Sequence, residues 1–79
     1  MVAVPRYFFH VHDGRETLDE TGTEFADPDQ ARAAAVRAAG EALRDLGGKF
    51  WRNPEWRTWV TDESGATLCT LTFSSEKGG

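Results

Sequence analysis

Between Asp27 and Leu46 the chain reads DPDQARAAAVRAAGEALRDL, and this stretch constrains the fold most, because it carries a helical period together with its own start and stop. Asp27 stands at the N-cap, where a carboxylate accepts from free backbone N–H groups. Pro28 takes the first helical position and Gln30 completes the capping-box spacing. At 3.6 residues per turn Ala35, Val36, Ala39, Ala42, Leu43 and Leu46 form one stripe, while Arg32, Arg37, Glu41, Arg44 and Asp45 lie mostly away from it. The stripe predicts a core-facing side. Its alanine-rich first half lets the backbone approach a sheet closely, and the leucines supply bulk near the end. Gly47 and Gly48 offer the left-handed backbone that stops a helix, which gives an element of about 20 residues and about 30 Å.

The flanking segments have strand chemistry. Arg6–His12, RYFFHVH, is aromatic and β-branched and is bounded by Pro5 and by Asp13-Gly14. A two-residue Asp13-Gly14 hairpin sets Val11 against Glu16, His10 against Thr17 and Phe9 against Leu18. It also places Tyr7, Phe9, Val11 and Leu18 on the helix side. Thr21–Ala26 reads as a connection that delivers Phe25 to the core. After the helix, Gly47–Glu55 reads as a loop with an Asn53-Pro54 turn signal. Trp56–Thr61 and Thr67–Phe73 form a second hairpin across the turn Asp62–Gly65, and Ser74–Gly79 reads as a mobile tail. The expected fold is α+β, ββαββ, an antiparallel sheet with one long helix on one face. A single domain spans residues 1–79, its ordered core running from about 5 to 73.

Strand alternation distributes large apolar groups over both sheet faces. Trp56 and Trp59 lie on opposite faces, Phe8 opposes Tyr7 and Phe9, and Leu68 opposes Leu71 and Phe73 if no bulge intervenes. One helix covers one face, so either the Phe50–Trp51 loop or another chain must cover the second. The expectation is a homodimer through that face, with Phe8, Trp51, Trp56 and Trp59 as candidate anchors.

With 79 residues the chain has a small core. The single Cys69 excludes an internal disulfide and a cysteine-rich zinc site, and it fits a reducing compartment. No signal-like run and no membrane-spanning apolar stretch is present, so the cytoplasm is the expected location and no membrane is expected as a partner.

Motifs for chemistry are sparse. His10 and His12 project from one strand face and are weak metal candidates, with Asp13 or Cys69 as the further ligands. Ser64, Ser74, Ser75 and Cys69 have no evident base beside them, and there is no P-loop, G-x-G-x-x-G or H-E-x-x-H, so neither catalysis nor a cofactor is implied. Charge is uneven: from Asp13 to Asp29 seven acids face only Arg15, which predicts an acidic end. In KFWRNPEWRTW, Lys49, Trp51, Arg52, Trp56 and Arg57 have the cation and aromatic mixture of a single-strand nucleic-acid surface. The net charge of −4 and a pI near 5.0 disfavour that partner.

The segments PRYFFHVHDG, GTEFADPDQARAAAVRAA and VTDESGATLCTLTF resemble a family of small proteobacterial proteins of unknown function. Members open with P-R-Y-F-F and close with a V-T-D-x-x-G hairpin, and the resemblance covers nearly the whole chain. It implies a stand-alone bacterial domain and transfers no site residue. The first half is also similar to HicB-type antitoxins, in which a strand, a D-G turn and a second strand lead to an alanine-rich helix. That likeness implies a basic toxin, or a nucleic-acid-related partner, against the acidic Asp13–Asp29 surface. The end Gly78-Gly79 is similar to the C-terminal diglycine of ubiquitin-like sulfur carriers.

Overall fold

The computed structural model describes residues 4–52, 55–76 and 78. Chain order is β1 (Arg6–His12), β2 (Glu16–Thr17), β3 (Thr23–Glu24), α1 (Pro28–Leu46), a 3-10 helix over Gly47–Arg52, β4 (Glu55–Thr61) and β5 (Thr67–Ser74). The sheet is antiparallel, in the order β2-β1-β4-β5, with β3 also pairing β1. This is the α+β plan with one long helix, to which β3 adds a short strand. Asn53 and Pro54 lie outside the described residues, as do Lys77 and Gly79 of the tail.

The ends of α1 follow its signals. The Gln30 N–H donates to Asp27 Oδ1 at 2.8 Å, and Gly47, at φ +50°, stops the helix with its N–H on the Leu43 carbonyl. Ala31, Ala35 and Ala39 are the buried residues, one every four, so the contact line starts a turn earlier than the stripe implied. Val36 is 58% exposed. One residue beyond Ala35 means a rotation of about 100°, which carries its side chain off the contact line.

The core joins Tyr7, Ala31, Ala35 and Val60, with Phe9, Phe25, Leu68, Cys69 and Leu71 packed around them. Phe25 enters as its position implied, its ring 6.3 Å from Tyr7 and 5.9 Å from Phe9. In β4, the strand between β1 and β5, Trp56, Thr58 and Val60 are buried on the helix side. Trp56 is only 2% exposed and stands 5.8 Å from Phe73. It is a core residue and therefore not an interface anchor.

Two registers differ from expectation. In the first hairpin Val11 pairs with Thr17 and His12 with Glu16, one residue away from the two-residue turn. The loop is Asp13-Gly14-Arg15, and its middle residue sits at φ +98°, a backbone that favours glycine. Leu18 leaves the sheet, 56% exposed, and no Phe9–Leu18 pair forms. In the second hairpin a register shift between Val60 and Thr61 pairs Val60 with Cys69 but Thr61 with Thr67. The extra residue lets Leu68 and Cys69 both pack on the core, so Leu68 does not face the other way.

The second face therefore carries Phe8, His10 and His12 from β1, Arg57, Trp59 and Thr61 from β4, and Thr67, Thr70 and Thr72 from β5. It is less apolar than the alternation alone implied.

Candidate functional site

The two margins of this sheet are built differently. Along β1 the outer edge is taken by β2 at one end and β3 at the other, and between them Asp19 occupies the gap. Its Oδ2 accepts the Phe9 N–H at 3.1 Å, and its Oδ1 accepts the N–H groups of Thr21 and Gly22, each at 3.0 Å. Partial burial pushes the Asp19 pKa upward. The N–H donors of Gly22, Phe9 and Thr21, with His10 nearby, outweigh that and hold it below the ordinary value. The loop is tied further by Arg6, which donates to the carbonyls of Thr21 and Gly22 at 3.0 and 3.3 Å and pairs with Glu24 at 2.8 Å. Gly22 sits at φ +76°, and a Cβ there would lie 2.7 Å from Arg6 Cγ and 2.9 Å from Phe8 Cε1. Only glycine lets this backbone lie down on Phe8.

His10 is buried beneath the same loop. Its Nδ1 accepts the Asp19 N–H at 3.0 Å, so a neutral ring carries its proton on Nε2 and donates to Thr61 Oγ1 at 2.9 Å. Thr58 Oγ1 donates to the His10 carbonyl at 2.6 Å. Both ring nitrogens are thus committed within the fold. His12 shares this face, but Cys69, paired with Val60, lies on the helix side, so the suggested ligands are not brought together. Among the described residues no group of three or more His, Cys, Asp or Glu side chains could hold a metal ion. The Asp19 carboxylate faces backbone amides and not the imidazole, and Ser64 Oγ donates to Asp62 within its own turn. The Ser64 hydroxyl, helped by the Ala66, Ser64 and Gly65 N–H groups, holds the Asp62 pKa below its ordinary value against slight desolvation.

The β4–β5 side is open. Trp59 lies half-buried, its ring 5.3 Å from that of His10, and the Arg57 guanidinium stands 5.3 Å from the Trp59 centroid. Arg57, Trp59, Thr67 and Thr70 border a shallow depression of about 230 Å³. Beyond it β5 is the end strand, eight residues without charge or proline. Its core-side residues Leu68, Cys69, Leu71 and Phe73 are only half-buried, in contrast to Trp56, Thr58 and Val60 of β4.

The residues singled out from the sequence divide among three places. Phe8 and Trp59 share the second face, Phe8 under the Gly22 loop and Trp59 on the open side. Trp56 is in the core. Trp51, 47% exposed, lies in the 3-10 helix, where Leu43, Gly47, Phe50, Trp51, Phe73 and Ser74 line a groove of about 320 Å³. That loop packs at the end of α1, so the cover over part of the second face is the Asp19–Gly22 loop instead. The suggested nucleic-acid surface is divided: Lys49, Trp51 and Arg52 sit in the 3-10 helix, Trp56 is buried, and Arg57 points away from it. Nor do the acids gather at one end, since Glu16 pairs with His12 and Glu24 with Arg6 at opposite ends of β1. Asp19, Gly22 and Thr61 belong to no chemical motif in the sequence. Asp19 two residues before Thr21 has the Asx-turn spacing, with Gly22 next to supply the positive φ, and that is the one local signal for this loop.

No helix among the described residues is long and apolar enough to cross a membrane. No curated protein and no solved structure matches the chain. A family model described as a domain of unknown function (DUF6894) matches residues 6–74, from the first residue of β1 to the last of β5, and the chain belongs to that family.

Proposed function

We propose that the chain is a non-enzymatic protein-interaction domain of the cytoplasm that self-associates as a homodimer, using the open β4–β5 side of its sheet. The observation that carries this reading is the contrast between the margins: β1 is closed by β2, Asp19 and β3, while among the described residues β5 ends the sheet with nothing paired outside it. Beside that strand, Trp59 and Arg57 are the residue types that most often anchor protein contacts. A non-enzymatic role agrees with the commitment of both His10 ring nitrogens and of the Asp19 carboxylate to holding the loop. The test is the solution mass by light scattering over a dilution series. A mass that falls from two chains to one supports self-association, and a single-chain mass at every concentration overturns it.

A further inference from the structure

We infer that the second copy pairs with β5 itself, by antiparallel strand addition about a two-fold axis at Leu71, so that two sheets become one. This rests on the self-association proposed above and specifies its geometry.

Three features point to this occupant. First, β5 is an undefended edge. Soluble proteins guard such edges with charge, proline, bulges or very short strands, and Thr67–Ser74 has no charge and no proline. Its register shift lies only at the Thr61–Thr67 end, leaving Cys69–Phe73 regular.

Second, the strand is complementary to itself. With Leu71 opposite the partner's Leu71, Cys69 faces the partner's Phe73 on the helix side and Thr70 faces the partner's Thr72 on the other. Apolar residues meet apolar ones and hydroxyls meet hydroxyls, both favourable cross-strand combinations. The apolar side chains that gain cover are the half-buried Cys69, Leu71 and Phe73.

Third, the pairing closes. Because β2, Asp19 and β3 fill the β1 margin, the described residues of each chain leave one open edge, and a two-fold contact uses it in both copies. A regular ladder of five residues is roughly 17 Å long and buries well under the ~800 Å² per partner of a standard interface, so the dimer dissociates on dilution.

Paired charge substitutions test the register. Thr70 and Thr72 are exposed, on the face away from the helix. Thr70→Lys with Thr72→Lys sets ammonium groups opposite one another across the two-fold. Thr70→Glu with Thr72→Lys sets a carboxylate opposite each ammonium. Both variants place the same new cation beside Arg57, so that intrachain effect is common to them. The double-lysine variant should dissociate about tenfold more readily than the parent, and the mixed variant should regain the parent's dissociation constant or better it. Far-UV circular dichroism melts check that both fold, and the mixed variant stays informative if the other does not.

A parent that dimerises while the mixed variant is also weakened overturns strand addition and leaves packing of the Trp59 faces, with self-association intact. A parent that is monomeric throughout overturns both proposals.

Discussion

Replacing Asp19 by Ala removes the group that closes the β1 margin without changing the strands. Three backbone donors lose their acceptor. Those of Phe9 and Gly22 are part-buried, and that of Thr21 is exposed and turns to water. A hydrogen bond to a charged acceptor contributes about 1.5–3 kcal/mol, and an unpaired buried donor costs about 1–3 kcal/mol. With Thr21 discounted and partial rehydration of the other two, Asp19→Ala should cost about 2–4 kcal/mol. A chain of this length is stable by only about 4–12 kcal/mol, so the variant loses a large share and its Tm falls by roughly 10–25 °C. Urea unfolding at neutral pH measures the first quantity, and amide hydrogen exchange at Phe9 and Gly22 measures its origin. The Phe9 amide should lose protection even under native conditions, while Val60 in the core keeps the global rate. A loss below about 0.5 kcal/mol with Phe9 still protected would refute the argument, because another acceptor would then have to be serving that amide.

Acid acts on the same contacts. The folded pKa of Asp19 lies below its ordinary value of 3.8, so the stabilisation is fully present above that value and is lost as pH falls through the folded pKa. The stability gap between the parent and Asp19→Ala should narrow below about pH 4, and a gap that widens on acidification would contradict this sign. Asp62 shifts in the same direction, so the variant should keep some acid sensitivity. Gly22→Ala should cost about 1–3 kcal/mol, since it combines a positive φ with a Cβ driven into Arg6 and Phe8; an unchanged melt would mean that the loop moves aside freely. Trp56→Ala should cost about 3–5 kcal/mol by calorimetry or urea unfolding, as large core truncations do. Trp59→Ala, half-buried on the other face, should cost distinctly less, and the reverse order would exchange the two faces.

What was legible in the sequence is what depends on near neighbours along the chain. The cap at Asp27, the stop at Gly47 and the alternation separating Trp56 from Trp59 each follow from residues within one or two turns. The misjudged features depend on distant partners. Asp13-Gly14 by itself favours a two-residue turn, but the strand beyond is held by an Asp19 carboxylate that reaches Phe9 ten positions back. The bulge at Val60–Thr61 inserts a residue only because Leu68 and Cys69 find room against the same core. Val36 falls on the apolar stripe yet off the contact line, because only the facing sheet decides which of two adjacent apolar residues is covered.

Those long-range features bear directly on function. Had Leu68 faced outward, the second sheet face would have carried a large aliphatic group beside Phe8 and Trp59. The bulge turns Leu68 to the core, and the Asp19–Gly22 loop covers Phe8, so what remains bare is a band of threonine with Arg57 and Trp59. Such a face is tolerable in water. An eight-residue uncharged edge is not tolerable in the same way, because its unpaired amides and carbonyls offer a template to any passing strand. The chain blocks that hazard on one margin with two two-residue strands and a carboxylate, yet places no charge along the other. The acids that give it a net charge of −4 include none in β5. Left unpaired, that strand would be a liability in a monomer, and the proposed pairing with its own copy would cover it in both chains and leave the described residues no further edge for a third.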